Sequence, residues 1–173
     1  GKLNECGNGY YTLSYNWNRK AKKADKERIE RDGLNYLKNK HSAKANEAQW
    51  TSYKGTDKYG DAKDENPKLC GNYASSFVPF NCVATNKHGE RRHLAYLVNP
   101  FENPVIKMWY RDQGVSLNDE AFALSSLLQW IWRSAIRNGK DVTIYIPSER
   151  MRGLLNAFLE TGSYQGHTLC EAA

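Results

Sequence analysis

The sequence predicts an α/β fold with a largely parallel sheet, on three observations. Strand-like and helix-like stretches alternate along most of the 173 residues, as strand-helix-strand units do. VTIYI (Val142 to Ile146) is a short β-branched run of the kind that forms a buried strand. Leu124, Leu127, Leu128, Ile131 and Ala135 keep helical spacing, which gives one helix a buried face to lay on such a sheet. With 40% apolar and 25% charged residues, one domain over residues 1–173 is expected. Wholesale disorder, a collagen-like repeat and a disulfide-dense miniprotein are poor fits.

In chain order, YYTLSYNW (Tyr10 to Trp17) alternates sides as a half-buried strand does. A helix is predicted from Ala24 to Lys40, with Ile29, Leu34 and Leu37 as its apolar stripe. Gln49 to Lys54 reads as a short strand. The polar run TDKYGDAKDENPK follows, rich in turn formers, so a flexible loop is expected over 55–71. Ser75 to Asn86 is β-rich, and Pro79, which has no N–H to give to a ladder, assigns it to a sheet edge or bulge. Asn103-Pro104 begins a helix that ends at Gly114. Asn118 caps the next helix, Asp119 and Glu120 suit its dipole, and Asn138-Gly139 stops it. Pro147-Ser148 starts a last helix that Gly162 ends, leaving a loose tail at 162–173.

The charge distribution narrows the function classes. The net charge is +6, and the stretch from Arg19 to Lys44 accounts for it, with ten basic side chains against four acidic ones. Arg19, Lys20, Lys22 and Lys23 open this stretch. It suits phosphate neutralisation with counterion release, and equally a solvated helix with internal pairs such as Glu27 with Arg31. Tyr10, Tyr15, Trp17, Trp50, Tyr53 and Tyr59 fall in or near this half, where exposed rings stack on single-stranded bases. Tyr53 and Tyr59 are the foremost of these, because they flank the lysine-rich loop.

Cys6, Cys70, Cys82 and Cys170 are far apart with no C-x-x-C pair, so free thiols are expected. His41, His88, His93 and His167 match no zinc spacing, and no metal is assigned. No apolar run nears the roughly 20 residues that cross a bilayer. The opening GKLNECGNGYY has no secretory pattern. A cytoplasmic protein without membrane association is the expectation.

The sharpest polar pattern is QWIWRSAIR, in which Gln129, Arg133 and Arg137 recur every four residues on one predicted helix face. An amide and two guanidinium forks suit phosphate oxygens. Surface arginines paired with glutamates would give the same pattern.

QWIWRSAIR followed by GKDVTIYI resembles the last arginine-bearing motif of superfamily 2 helicases. There a glutamine and two arginines face the ATP phosphates. FVPFNCVATNKHGERRHLAYLVN resembles the preceding motif, a strand leading to a Thr/Asn turn that contacts nucleic acid. With PSERMRGLL, the likeness runs to helicase-like proteins of phages and integrative mobile elements, over about Tyr73 to Glu160. The resemblance implies a RecA-like layered domain, the second lobe of such a protein. It also implies catalytic roles for Gln129, Arg133 and Arg137, and nucleic-acid contacts, to DNA foremost, by Thr85, Asn86, Arg91 and Arg92.

No G-x-x-x-x-G-K-[ST] loop occurs in the sequence. The chain alone is therefore expected to bind no cofactor and hydrolyse no ATP; ATP and Mg²⁺ enter only with an N-terminal ATPase lobe as partner. Two other classes compete. One is a small phage or plasmid protein-interaction module. The other is a metal-dependent nuclease built on Asp57, Asp61, Asp64 and Glu65.

Overall fold

The computed structural model describes residues 2–54, 67–81, 87–162 and 170–172. Three strands form a parallel sheet in the order β1 (Ala48–Thr51), β2 (His93–Tyr96), β4 (Thr143–Tyr145). Trp50 lies opposite Ala95, and Ala95 opposite Tyr145. Side chains alternate between two cores. Trp50, Ala95 and Tyr145 face one with Leu13, Ile29 and Leu37, and Leu94, Tyr96 and Ile146 face the other with Leu127, Trp130 and Met151. The result is a three-layer α/β domain, as expected.

The first layer is made by α1 (Tyr15–Lys20) and α2 (Lys23–Leu34), which continues as a π turn over Asn35–Lys40. Ile29 and Leu37 are buried and Leu34 is half-buried. The strand expected at Tyr10 to Trp17 is absent: residues 9–14 turn, and Ser14 accepts a hydrogen bond from Trp17 N to cap α1. The backbone turns at Leu13, whose φ of 65° lies in the left-handed region that no strand passes through. The β-rich reading of Ser75 to Asn86 also fails where the chain is described. Gly71–Ser76 is a 3-10 turn, and Phe77 alone bridges to Trp50. Within the expected loop, Pro67 and Leu69 are buried, and Glu30 accepts from Lys68 N.

The second layer holds α4 (Asp119–Ile131) and α5 (Glu149–Thr161). Their caps are those the sequence predicts. The Asn118 carboxamide oxygen accepts from Glu120 N and Ala121 N, and Ser148 Oγ from Met151 N. α4 nevertheless stops seven residues early. Ser134 Oγ bonds back to Ile131 O and a separate 3-10 turn spans Ala135–Asn138. α3 (Pro104–Asp112), capped by Asn103, rests on β3 (Val115–Leu117), which pairs antiparallel with β5 (Cys170–Ala172) in the expected tail. None of α3's side chains is buried. Among the described residues no helix is long and apolar enough to cross a membrane.

Candidate nucleic-acid interface

At the amino ends of the strands, the turn after α4 lies on the segment that feeds β2. Ala135 N donates to Arg91 O at 2.9 Å, the Asn138 side chain donates to Gly89 O at 3.0 Å, and Lys140 pairs with Glu90 at 2.9 Å. Because α4 ends at Ile131, Gln129, Arg133 and Arg137 do not share one helix face. Gln129 closes the helix, Arg133 sits in the turn and Arg137 in the 3-10 segment. They nonetheless line one cavity of about 720 Å³, whose apolar wall includes Trp132, Ile144 and Phe158.

His88 belongs to the same edge. Burial lowers its pKa, and the cations Arg91, Arg133 and Lys87 act in the same direction. Burial and the neighbouring cations thus both favour the neutral form of the ring. Arg91 is a brace: its guanidinium donates to Ser76 O at 2.9 Å. Arg92 is exposed. Thr85 and Asn86 lie outside the described residues.

Arg19, Lys20, Lys22 and Lys23 are exposed on the first layer, on the opposite side of the sheet from α4 and α5. Acids temper the stretch beyond them, with Lys23 pairing with Glu27 at 3.7 Å and Arg28 with Glu5 at 3.0 Å. The structure therefore separates the two basic sets that the sequence singles out.

The carboxyl ends of the strands carry an arrangement the sequence reading missed. Asn99, fully buried just past β2, donates its side-chain N–H to Tyr10 O at 2.8 Å and Thr12 O at 3.0 Å, and its backbone N–H to Leu13 O at 2.9 Å. Tyr53 Oη donates to Asn99 O at 3.2 Å, and burial pushes that phenol's pKa well up. Arg150, in the first turn of α5, donates to Asn99 Oδ1 at 2.8 Å, Pro100 O at 3.1 Å and Asp119 O at 3.0 Å. Its guanidinium also lies over Phe101 and Tyr10, 4.2 and 5.4 Å from the ring centres. An asparagine inside the apolar run LAYLVNP was the available signal, since a polar side chain there has to find partners.

Among the described residues no group of three or more His, Cys, Asp or Glu side chains is placed to hold a metal. Cys6 and Cys70 are free thiols, while Cys82 falls outside the described residues. Asp57, Asp61, Asp64, Glu65 and Tyr59 fall outside them too.

Comparison with known proteins adds two findings. The family model described as the YonV C-terminal Rossmann-like domain matches residues 1–159. The SPbeta prophage-derived uncharacterized protein YonV of Bacillus subtilis (strain 168) is 42% identical over 161 residues, covering 92% of this chain and 37% of that protein. The chain thus spans little more than a third of the length of the curated relative it matches. No solved structure matches it.

Proposed function

The chain belongs to the YonV C-terminal Rossmann-like domain family, and on that footing we propose that it is a nucleic-acid-binding domain acting as the second lobe of a phage-derived, helicase-like protein. The observation that carries this reading is the contact of the Arg133–Asn138 turn with the His88–Arg92 segment, sealed by Ala135 N on Arg91 O at 2.9 Å. The described parts of the two stretches whose sequences resemble helicase motifs, Arg133–Asn138 and His88–Arg92, meet at the amino ends of the strands. A helicase lobe needs that meeting, because one motif senses a phosphate and the other the nucleic acid. Arg133 and Arg137 would face the γ-phosphate of an ATP held by an N-terminal lobe. Arg92 and the exposed cations of the first layer would take nucleic-acid phosphates, DNA foremost.

The binding half of the reading is tested by titrating the chain with labelled single-stranded and duplex DNA. The expected result is sequence-independent affinity that falls steeply between about 50 and about 200 mM salt. No binding at low salt overturns it. The helicase half is tested in the whole protein, where Arg133→Ala is expected to abolish nucleic-acid-stimulated ATP hydrolysis while the fold is retained. Undiminished stimulation overturns it.

One feature favours a second reading, a protein-interaction module. α3 exposes Val105, Ile106, Met108 and Trp109, the last 59% accessible, and such a contiguous apolar face suits a partner surface.

A further inference from the structure

We propose that the groove at the carboxyl ends of the strands is a stacking site for the bases of single-stranded nucleic acid, separate from the basic faces considered above; it rests on the nucleic-acid reading and deepens it. The groove encloses about 620 Å³ between the Tyr10–Tyr11 turn, Phe101 and the α3 side chains Met108 and Arg111, a volume within the ~300–1,000 Å³ of small-ligand sites. Tyr10 and Tyr11 are 50% and 65% exposed, and their rings stand edge to face with centres 5.0 Å apart. Both reach Phe101, at 5.8 and 5.4 Å.

These rings are not loosely hung. Asn99 holds the Tyr10, Thr12 and Leu13 carbonyls at 2.8, 3.0 and 2.9 Å. Leu13, fully buried, takes a left-handed backbone with φ 65°. Such strain persists only where the surroundings over-determine it, and it concentrates at binding sites. Behind the rings, the buried Arg150 guanidinium lies over Phe101 and Tyr10, while Tyr10 and Tyr11 keep half or more of their surface open to solvent.

A fixed aromatic platform takes any base, because every base has a π face, and duplex DNA hides those faces in its own stack. Arg111 is exposed on the rim and supplies the charge for the adjoining phosphate. Lys107, by contrast, is spent on Asp119. The occupant is therefore a single strand in preference to a duplex.

The test titrates the wild-type chain, Tyr10→Ala/Tyr11→Ala, Tyr11→Trp and Arg111→Glu with a single-stranded oligonucleotide and with a duplex of the same length, each protein first checked for an unchanged melting curve. Wild type is expected to prefer the single strand. The double alanine variant is expected to lose roughly tenfold or more on the single strand alone, Tyr11→Trp to retain binding, and Arg111→Glu to lose single-strand affinity. Unchanged single-strand binding by the double variant overturns the groove and leaves the wider reading standing. An equal loss on both ligands does the same. Wild type that binds neither ligand at low salt overturns both.

Discussion

The guanidinium of Arg150 meets the carboxamide oxygen of Asn99 at 2.8 Å, joining the first turn of α5 to the end of the central strand. The same guanidinium satisfies Pro100 O and Asp119 O, and Asn99 in turn fixes the Tyr10 turn. Arg150→Met keeps the volume and removes the donors, leaving several buried acceptors unpaired. Urea denaturation is expected to show a loss of about 3 kcal/mol, far above the near-neutral result for a solvated arginine.

Gly7 is a sharper steric case. A Cβ placed there would run into the backbone carbonyl of Pro147, two residues past the edge strand β4. Gly7→Ala is therefore expected to lower stability by about 1–3 kcal/mol, read as a lower melting temperature at unchanged helical circular dichroism. A neutral effect would mean that the amino-terminal turn is not seated on β4.

Arg133 acts on His88 through charge. Removing one of the cations that depress this imidazole has one sign: in Arg133→Ala the His88 pKa rises. An NMR titration of the ring protons checks it, and an unmoved pKa places the guanidinium away from that segment.

Lys20, Lys22 and Lys23 are exposed, so replacing all three by Gln should leave the melting curve within about 0.5 kcal/mol of wild type. Duplex binding should weaken, and the salt slope should fall by about 0.9 for each lost phosphate contact. An unchanged slope would move duplex binding elsewhere, with the Arg92 edge the next to be replaced.

His41 and His93 stack at 4.9 Å beside Tyr36, and His93 Nδ1 lies 3.0 Å from Thr143 Oγ1. Burial lowers both pKa values. For His41 the charges of His93 and Lys40 add to it; for His93 Glu47 opposes and Arg92 reinforces. With folded-state values below the unfolded ~6.5, the pair contributes stability above that pH, and the contribution is lost as pH falls through the lowered values. The melting temperature should drop between about pH 7 and pH 5, and less so in His41→Gln/His93→Gln.

The parts of the fold that are legible in the sequence are those written in local chemistry. Asn103, Asn118 and Ser148 cap α3, α4 and α5 through their own side chains, and the β-branched run VTIYI does hold a strand, Thr143–Tyr145, although it is the edge of the sheet, with Thr143 exposed and Ile144 half-buried where the sequence predicts a buried strand. Long-range contacts decided the rest. The helical pattern runs on past Ile131, but Ala135 N is claimed by Arg91 O, and this separates the arginines that share a face on paper. β2 hides in an apolar run without a period of its own. Tyr10 to Trp17 alternates like a strand, yet Asn99 bends it into a turn. Of the rings the sequence offered for stacking, Tyr10 and Tyr15 are exposed, whereas Tyr53 is half-buried with its hydroxyl on Asn99 O and Trp50 is core; Tyr11, outside that set, is exposed as well.

The partner that shapes the Tyr10 turn, Asn99, lies 89 residues from Tyr10 and 87 from Thr12 along the chain. Loop closure over such a span is slow to be rewarded, so the turn acquires its form only after the central strand is in place. The aromatic platform is accordingly a late product of folding, and Leu13, left-handed and buried, has no reason to hold its conformation before then. On the stacking proposal, refolding followed by capture of a single-stranded oligonucleotide should lag behind refolding followed by helix formation, and such capture would report on completion of the native topology.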